Sequence, residues 1–202
     1  MSVKLLLERK VDDFVKDYPE YKKSEINKKF LFFAMCHLLK NSRMELEDIC
    51  DGFVDGTNDY GIDGIYTFSS RELIKDDEEL KEQISKESRV KIRLIQVTRD
   101  DGFSETMLLK LKNGVEEIFN LEKQLSGNEE FVNKANFIRK IWEYCFNLGN
   151  VSLIDIELIY ISLATAEKVN TKLKALETKT YDYLHSQQLN QARLKFIGIA
   201  EL

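Results

Sequence analysis

The residues of this chain best suited to chemistry lie in one stretch, Asp51 to Tyr66, which reads DGFVDGTNDYGIDGIY. It contains four aspartates and four glycines and ends in a β-branched and aromatic run. Carboxylates are ligands of hard cations, and glycines let a backbone bend sharply or a ligand approach closely. The stretch is therefore either a solvated turn or a cation-binding loop at the start of a buried strand.

A second segment, VKIRLIQVT from Val90 to Thr98, supplies the other half of a site. Its alternation predicts a strand with Val90, Ile92, Leu94 and Gln96 on one side and Lys91, Arg93, Ile95 and Val97 on the other. Mg²⁺ needs a few oxygen ligands and keeps several waters. Asp63 and Gln96 would provide two such ligands if their strands are neighbours. The alternative is a strand-entry aspartate and a buried, hydrogen-bonded glutamine.

Two other metal sites are excluded by spacing. Asp55, Thr57, Asp59, Gly61 and Asp63 alternate as an EF-hand loop begins, but Tyr60 stands where glycine makes the turn, and Tyr66 where a bidentate glutamate is needed. The three cysteines and two histidines form no zinc pattern, and we expect buried thiols in a reducing cytoplasm. Asp51, Asp55 and Asp59 suit turns, with Asp59 also an auxiliary ligand candidate.

These segments resemble a known group. GTNDYGIDGIY followed by IRLIQVTRDDGFSE resembles the amino-terminal nuclease-like domain of the AIPR family, the abortive phage infection proteins. That domain is similar to the Mrr-like branch of the PD-(D/E)XK restriction-endonuclease superfamily. The matching pieces are residues 58–66, 94–98 and 102–105, and the resemblance covers about residues 25 to 125.

The resemblance implies roles for individual residues. Asp63 would be the metal-binding aspartate, Gln96 would replace the usual acidic ligand, and Glu47 would be an additional acidic residue. The implied cofactor is Mg²⁺ or Mn²⁺. The implied activity is that of a PD-(D/E)XK-type deoxyribonuclease in antiviral defence.

The chain departs from the family pattern at Thr98, where the family has a lysine that orients the nucleophilic water. Threonine cannot supply its positive charge, and loss of one such group costs roughly 10²–10³ in rate. Arg99 is adjacent, but a shift of one residue along a strand points its side chain to the other face. Lys110 or Lys112, on the following helix, could reach the site from another backbone position.

The surrounding elements predict an α/β fold. Strands separated by long helices imply parallel crossovers, while the strands over 61–68 and 90–98 can pair antiparallel. We therefore expect a restriction-endonuclease-like α/β sandwich, with a mixed central sheet flanked by helices. Residues 1–202 would form one domain, with a helical lead-in over 1–50 and a core over 51–202. The abrupt end after the last strand suggests a fragment of a longer protein.

The composition of the chain limits the kinds of partner that it is expected to bind. The net charge of −5 argues against a generally basic nucleic-acid coat but not against a local basic groove. Lys168, Lys172 and Lys179 share one face of a helix predicted after Thr165, and could contact phosphates or form a solvated face. Neither a signal peptide nor a membrane span is expected. We expect a cytoplasmic protein whose partner is nucleic acid, DNA first, with a homodimer left open.

Three functions follow. The first is a Mg²⁺-dependent DNA endonuclease module of a phage-defence protein. The second is a catalytically impaired nuclease-like module that binds nucleic acid or regulates an attached domain. The third is a protein–protein interaction domain without metal. Thr98 separates the first from the second, and the acidic total keeps the third open.

Overall fold

The predicted periodicities become helices and strands in the expected order. The computed structural model describes residues 3–54, 56–164, 169–189 and 191–201. Its helices are α1 (Val3–Phe14), α2 (Pro19–Lys22), α3 (Ile26–Leu39), α4 (Leu46–Asp51), α5 (Asp77–Gln83), α6 (Glu105–Phe119), α7 (Glu129–Leu148) and α8 (Thr171–Ser186). Its strands are β1 (Gly64–Ser69), β2 (Glu72–Leu73), β3 (Val90–Val97), β4 (Ile154–Ile161) and β5 (Gln191–Ile197).

The strands form a mixed sheet in the order β2-β1-β3-β4-β5. β1 is antiparallel to β2 and β3, as predicted, while β3, β4 and β5 are parallel. Parallel neighbours need a crossover, which α6 and α7 supply between β3 and β4, and α8 between β4 and β5. The carboxyl ends of β3, β4 and β5 therefore meet the amino end of β1 at one side of the sheet. We call this side the carboxyl edge, and the opposite side the amino edge.

Helices cover both faces of the sheet. On one face, α6, α7 and α8 pack against β3 residues such as Ile92 and Leu94. On the other face, α1, α3 and α4 pack against Ile95 and against Tyr66 of β1. The two faces of β3 are those predicted from its alternation, and the α/β sandwich is confirmed at this level. Among the described helices, none has the length and apolar composition needed to cross a membrane.

Some element boundaries differ from the predictions. β1 begins at Gly64 rather than Gly61, because Tyr60 and Gly61 have φ of 56° and 68°, which an extended strand cannot accommodate. Glu25 occupies the N-cap position of α3, and its side chain makes no capping hydrogen bond.

The highly charged segment after β2, residues 76–89, is not wholly solvated. Asp76 caps α5 by accepting from the backbone N–H groups of Glu78 and Glu79. Leu80 and Ile84 point inward and join the core that α6 and α7 form. The charged segment is therefore attached to the core by two apolar side chains that are one helical turn apart.

Candidate functional site

Asp63 lies at the carboxyl edge, immediately before β1, and is held against β3. Gly64 is opposite Ile95, so Asp63 is the next residue outward beside Gln96. Its backbone N–H donates to the Ile95 carbonyl (2.8 Å), and its Oδ2 accepts from the Val97 N–H (2.7 Å). The side chain therefore replaces the backbone carbonyl that β1 no longer supplies to the end of β3. This is a strand-capping role, and it positions the carboxylate firmly.

Gln96 is fully buried, and neither the oxygen nor the nitrogen of its side-chain amide has a hydrogen-bond partner among the described residues. It follows Leu94 on the face that packs against α6. A Cβ built on Gly61 would lie 3.2 Å from Gln96 Nε2. The side-chain amide therefore lies close to the backbone of the loop that contains Asp59 and Asp63, which we call the aspartate loop. Leaving a buried polar group unpaired costs about 1–3 kcal/mol, so an unpaired buried amide is a candidate for contact with an ion or a water.

A cavity of about 450 Å³ is lined by Gly61, the residue that Gln96 approaches. Gln96 and Asp63 are not themselves part of its lining. Its lining includes Asp59, Gly61, Lys110 and Ser126. Asp59 Oδ1 accepts from the Gly61 N–H at 2.7 Å, which is the turn role expected of it. The Cβ of Lys110 lies 3.3 Å from a Cβ built on Gly61, so this lysine of α6 borders the loop directly. The cavity thus combines a carboxylate, an ammonium group and exposed backbone.

The outer wall of the cavity is held by a buried carboxylate that sequence analysis did not single out. Glu117 accepts from the backbone N–H and the hydroxyl of Ser126 (2.7 and 2.8 Å) and from Lys123 Nζ (2.6 Å). Burial alone would raise the pKa of Glu117, but these hydrogen bonds outweigh it and lower the pKa. Tyr60 in turn shares a 2.6 Å hydrogen bond with Ser126, which fixes the loop to the wall.

Thr98 does not approach Asp63 through its side chain. Its hydroxyl donates to Asp100 Oδ2 at 2.9 Å, and the Asp100 N–H donates back to it at 3.3 Å. Arg99 points to the opposite helix layer, as predicted, where it donates to Glu8 (2.6 Å) and Asn27 (3.1 Å). Neither residue brings a positive charge to the cavity.

The remaining residues predicted for the site are Lys112 and Glu47, and their environments differ. Lys112 forms an ion pair with Glu116 on its own helix. Glu47 is exposed on α4 and forms no hydrogen bond or ion pair with another described residue. The structure therefore places Asp63 opposite Gln96 on neighbouring strands, and Asp59 and Lys110 in one cavity with Gly61. It does not add Glu47 to them.

The predicted nucleic-acid lysines lie only partly within the described chain. α8 begins at Thr171, while Lys168 and the loop aspartate Asp55 lie outside the described residues. Lys172 and Lys179 do share a face, along a shallow groove between α6 and α8. Lys172 is highly exposed and lies 3.7 Å from Glu105, at the start of α6. This places Lys172 at the carboxyl edge, and Lys179 two turns further along the helix.

A larger cavity, of about 790 Å³, lies between α4, β1, β2 and α7 rather than at Asp63. Lys134 of α7 reaches into it and donates to the Asp51 carbonyl. Burial lowers the pKa of Lys134. Nothing in the sequence distinguished Lys134 from other helical lysines. Gly61, the residue that Gln96 approaches, lines the 450 Å³ cavity and not this one, so we favour the 450 Å³ cavity as the functional site.

Within the described residues, no group of three or more His, Cys, Asp or Glu side chains is arranged to hold a metal ion. Magnesium commonly uses one or two carboxylates and retains several waters, so a smaller donor set remains chemically suitable. Comparison with known proteins gives no match to a protein-family model, to a curated protein or to a solved structure.

Proposed function

We propose that this chain is a restriction-endonuclease-like domain that binds nucleic acid at its carboxyl edge and uses Asp63 and Gln96 as ligands of a divalent cation. The observation that supports this most strongly is the fully buried amide of Gln96, which has no hydrogen-bond partner among the described residues and whose strand position is opposite Asp63. Ligand sites in sheets of this kind favour the carboxyl ends of parallel strands. The Mrr-like branch, the AIPR family and a role in phage defence are parts of the same proposal.

The atoms available as ligands are oxygens, which are the type of ligand that hard cations bind. Gln96 Oε1 has no hydrogen-bond partner, and Asp63 is fixed by its bond to the Val97 N–H, so both oxygens have defined positions. Asp59 would be an additional ligand from the loop above. A bound Mg²⁺ or Mn²⁺ supplies Lewis acidity and a water of lowered pKa. The protein's own contribution is to hold these oxygens and to shield them beneath the loop.

The positive charge missing at Thr98 is supplied, in this proposal, by Lys110. Lys110 borders Gly61 from α6 and lines the cavity that contains Asp59. Lys112 is the less suitable alternative because its ammonium group is paired with Glu116. A lysine from a neighbouring helix can stabilise developing negative charge as well as one from the strand, provided that its ammonium group reaches the same place.

A second candidate is a domain of this fold that binds nucleic acid without cutting it. Thr98 favours this alternative, because a threonine whose hydroxyl donates to Asp100 supplies no positive charge at the strand position of the family lysine. Lys172 and Lys179 are the proposed phosphate contacts in both cases. The two candidates differ only in whether Lys110 completes the site.

Plasmid cleavage with Mg²⁺ and Mn²⁺ tests the proposal, with Lys110→Ala and Lys112→Ala as a matched pair on one helix. We expect wild-type cleavage, a loss of about 10²-fold or more in Lys110→Ala and in Gln96→Ala, and little change in Lys112→Ala. Equal losses in the two lysine variants would refute the role of Lys110.

If the wild type does not cut, calorimetric Mn²⁺ titration separates the alternatives. Binding that is lost in a folded Asp63→Ala or Gln96→Ala variant supports the impaired module, and Thr98→Lys should then create or raise cleavage. The absence of any Mn²⁺ binding would refute the metal site and favour a metal-free interaction domain.

A further inference from the structure

A second cavity, of about 410 Å³, lies at the amino edge of the sheet, on the face covered by α3. Four cationic side chains line it, together with a single carboxylate, that of Asp155. The cationic residues are Arg71, Arg89, Lys91 and Arg93. They come from the β1–β2 turn and from the start of β3, and we call the cavity the amino-edge groove. The chain as a whole has a net charge of −5, so this concentration of positive charge is local.

One of the four cations forms the floor of the groove. Arg93 donates to Glu157 at 2.7 Å, lies 3.4 Å from Ser42 Oγ, and stacks over the Phe68 ring with its guanidinium carbon 5.1 Å from the ring centre. Glu157 is almost completely buried and also pairs with two cations of β5. Arg93 is therefore held in place by these contacts, and Glu157 shares its single negative charge among three cations.

The other three cationic side chains differ from Arg93 in their exposure and in their ion pairing. Arg71 and Arg89 are exposed, Lys91 is half-buried, and none of them forms an ion pair with a described residue. Asp155, the carboxylate of the groove, lies 3.5 Å from Arg193. Arg71 and Arg89 are brought together because the Ser70 N–H donates to the Arg89 carbonyl at 3.2 Å. Three unpaired positive charges thus converge on one concave surface.

Such an arrangement is unfavourable by itself, because like charges repel and concave walls focus their field. An anion relieves the repulsion. Guanidinium groups match the oxygens of a phosphate through paired N–H donors, and the side chains of Asn41, Ser42 and Ser70 add neutral donors to the wall. The cavity volume falls within the range of small-ligand pockets, about 300–1,000 Å³.

We propose that the amino-edge groove binds phosphate groups, those of a nucleotide or of a nucleic-acid strand, through Arg71, Arg89 and Lys91. The groove is distinct from the Asp63 site. Val90, which lines the groove, and Gln96 are six residues apart on β3, which is about 20 Å along the strand. The groove lies on the face of the sheet covered by α3, whereas Gln96 lies on the face covered by α6. The inference does not rest on the proposed nuclease function, since it needs neither a metal nor cleavage.

The test compares two double charge reversals that change the net charge equally. Arg71→Glu/Arg89→Glu alters the groove, while Lys10→Glu/Lys81→Glu alters exposed lysines of α1 and α5. The probes are inorganic phosphate, ADP, a fluorescent single-stranded DNA 12-mer, and a polyglutamate peptide of similar charge. Binding is measured by calorimetry and fluorescence anisotropy between 50 and 200 mM salt.

We expect the wild type to bind ADP or the 12-mer, and the groove variant to lose about tenfold or more in affinity. The logarithmic salt slope for the 12-mer should fall by about 1.5, as expected for the loss of two phosphate contacts. The Lys10/Lys81 variant should bind like the wild type. Binding of ADP and phosphate identifies a small phosphorylated ligand, whereas binding of the 12-mer alone identifies a strand backbone.

Three results would overturn the proposal. They are no binding of any phosphate-bearing probe, equal losses in the two reversal variants, and polyglutamate binding as tight as that of the 12-mer. Asp63→Ala should leave binding in the groove unchanged. Loss of cleavage in that variant with unchanged groove binding therefore tests the nuclease site separately.

Discussion

Replacement of Asp63 by alanine should destabilise the fold even when no metal is bound. The carboxylate accepts the Val97 N–H at 2.7 Å, at a point where β1 has ended and no backbone carbonyl takes its place. In the alanine variant that N–H loses its partner at the half-buried end of β3. If Asp63 acted only as a metal ligand, removal of its charge would instead cost nothing in the metal-free protein.

The expected loss of stability follows from the strength of the hydrogen bond between Asp63 and Val97. A hydrogen bond to a charged acceptor contributes about 1.5–3 kcal/mol net, so the free energy of unfolding should fall by roughly 2 kcal/mol. With a urea dependence of about 2–3 kcal/mol/M for a chain of this size, the midpoint should shift by roughly 0.5–1 M. Asp63→Asn keeps an acceptor oxygen and should lose about 1 kcal/mol or less.

The assay is urea unfolding followed by circular dichroism, together with hydrogen exchange of the Val97 amide. Asp51→Ala is the control, since Asp51 belongs to the same stretch but its side chain is exposed, and surface changes usually stay within about 0.5 kcal/mol. The Val97 amide should exchange faster in Asp63→Ala and not in Asp51→Ala. Equal midpoints for these two variants, or unchanged Val97 exchange, would refute the capping role.

Two further predictions concern the core. Burial alone would raise the pKa of Glu157, but Lys195 and Arg93 lower it from 4.5 to about 2. This stabilisation is present above pH 4.5 and is lost as pH falls toward 2, so Glu157→Gln should reduce acid destabilisation by on the order of 3 kcal/mol in unfolding curves measured against pH. Gly52→Ala would place a Cβ 1.9 Å from the Tyr66 ring and should lower the melting temperature by roughly 5–10 °C. Gly102→Ala meets nothing within 4 Å and should melt like the wild type; equal melting of the two variants would contradict the packing argument.

Much of the architecture follows from local pattern. The alternation of β3 correctly assigned Leu94 to one face and Ile95 to the other, because side chains of a strand point to opposite sides in turn. The apolar stripes of α6 and α7 likewise identified helices, and the long helical connections implied parallel strands. These conclusions depend on periods of 2.0 and 3.6 residues, which neighbours in sequence determine by themselves.

The aspartate loop was only partly predictable. Composition marked it as a turn or a cation site, and strand pairing made Asp63 and Gln96 candidate neighbours. Composition could not reveal that Tyr60 adopts φ of 56°, which delays the start of β1 to Gly64. Nor could it show that Asp63 caps Val97. Backbone dihedral angles and individual hydrogen bonds depend on the register of one strand against another.

The sequence by itself determined the α/β class, the two faces of β3 and the short set of polar residues at its end. The tertiary structure decided which charges meet. It brought Lys110 to Gly61 while Lys112 paired with Glu116, and it joined Arg71 and Arg89, eighteen residues apart, in one groove. The physical reason is that periodicity sets the direction of each side chain, whereas electrostatic and hydrogen-bonding environments arise only when distant segments pack together.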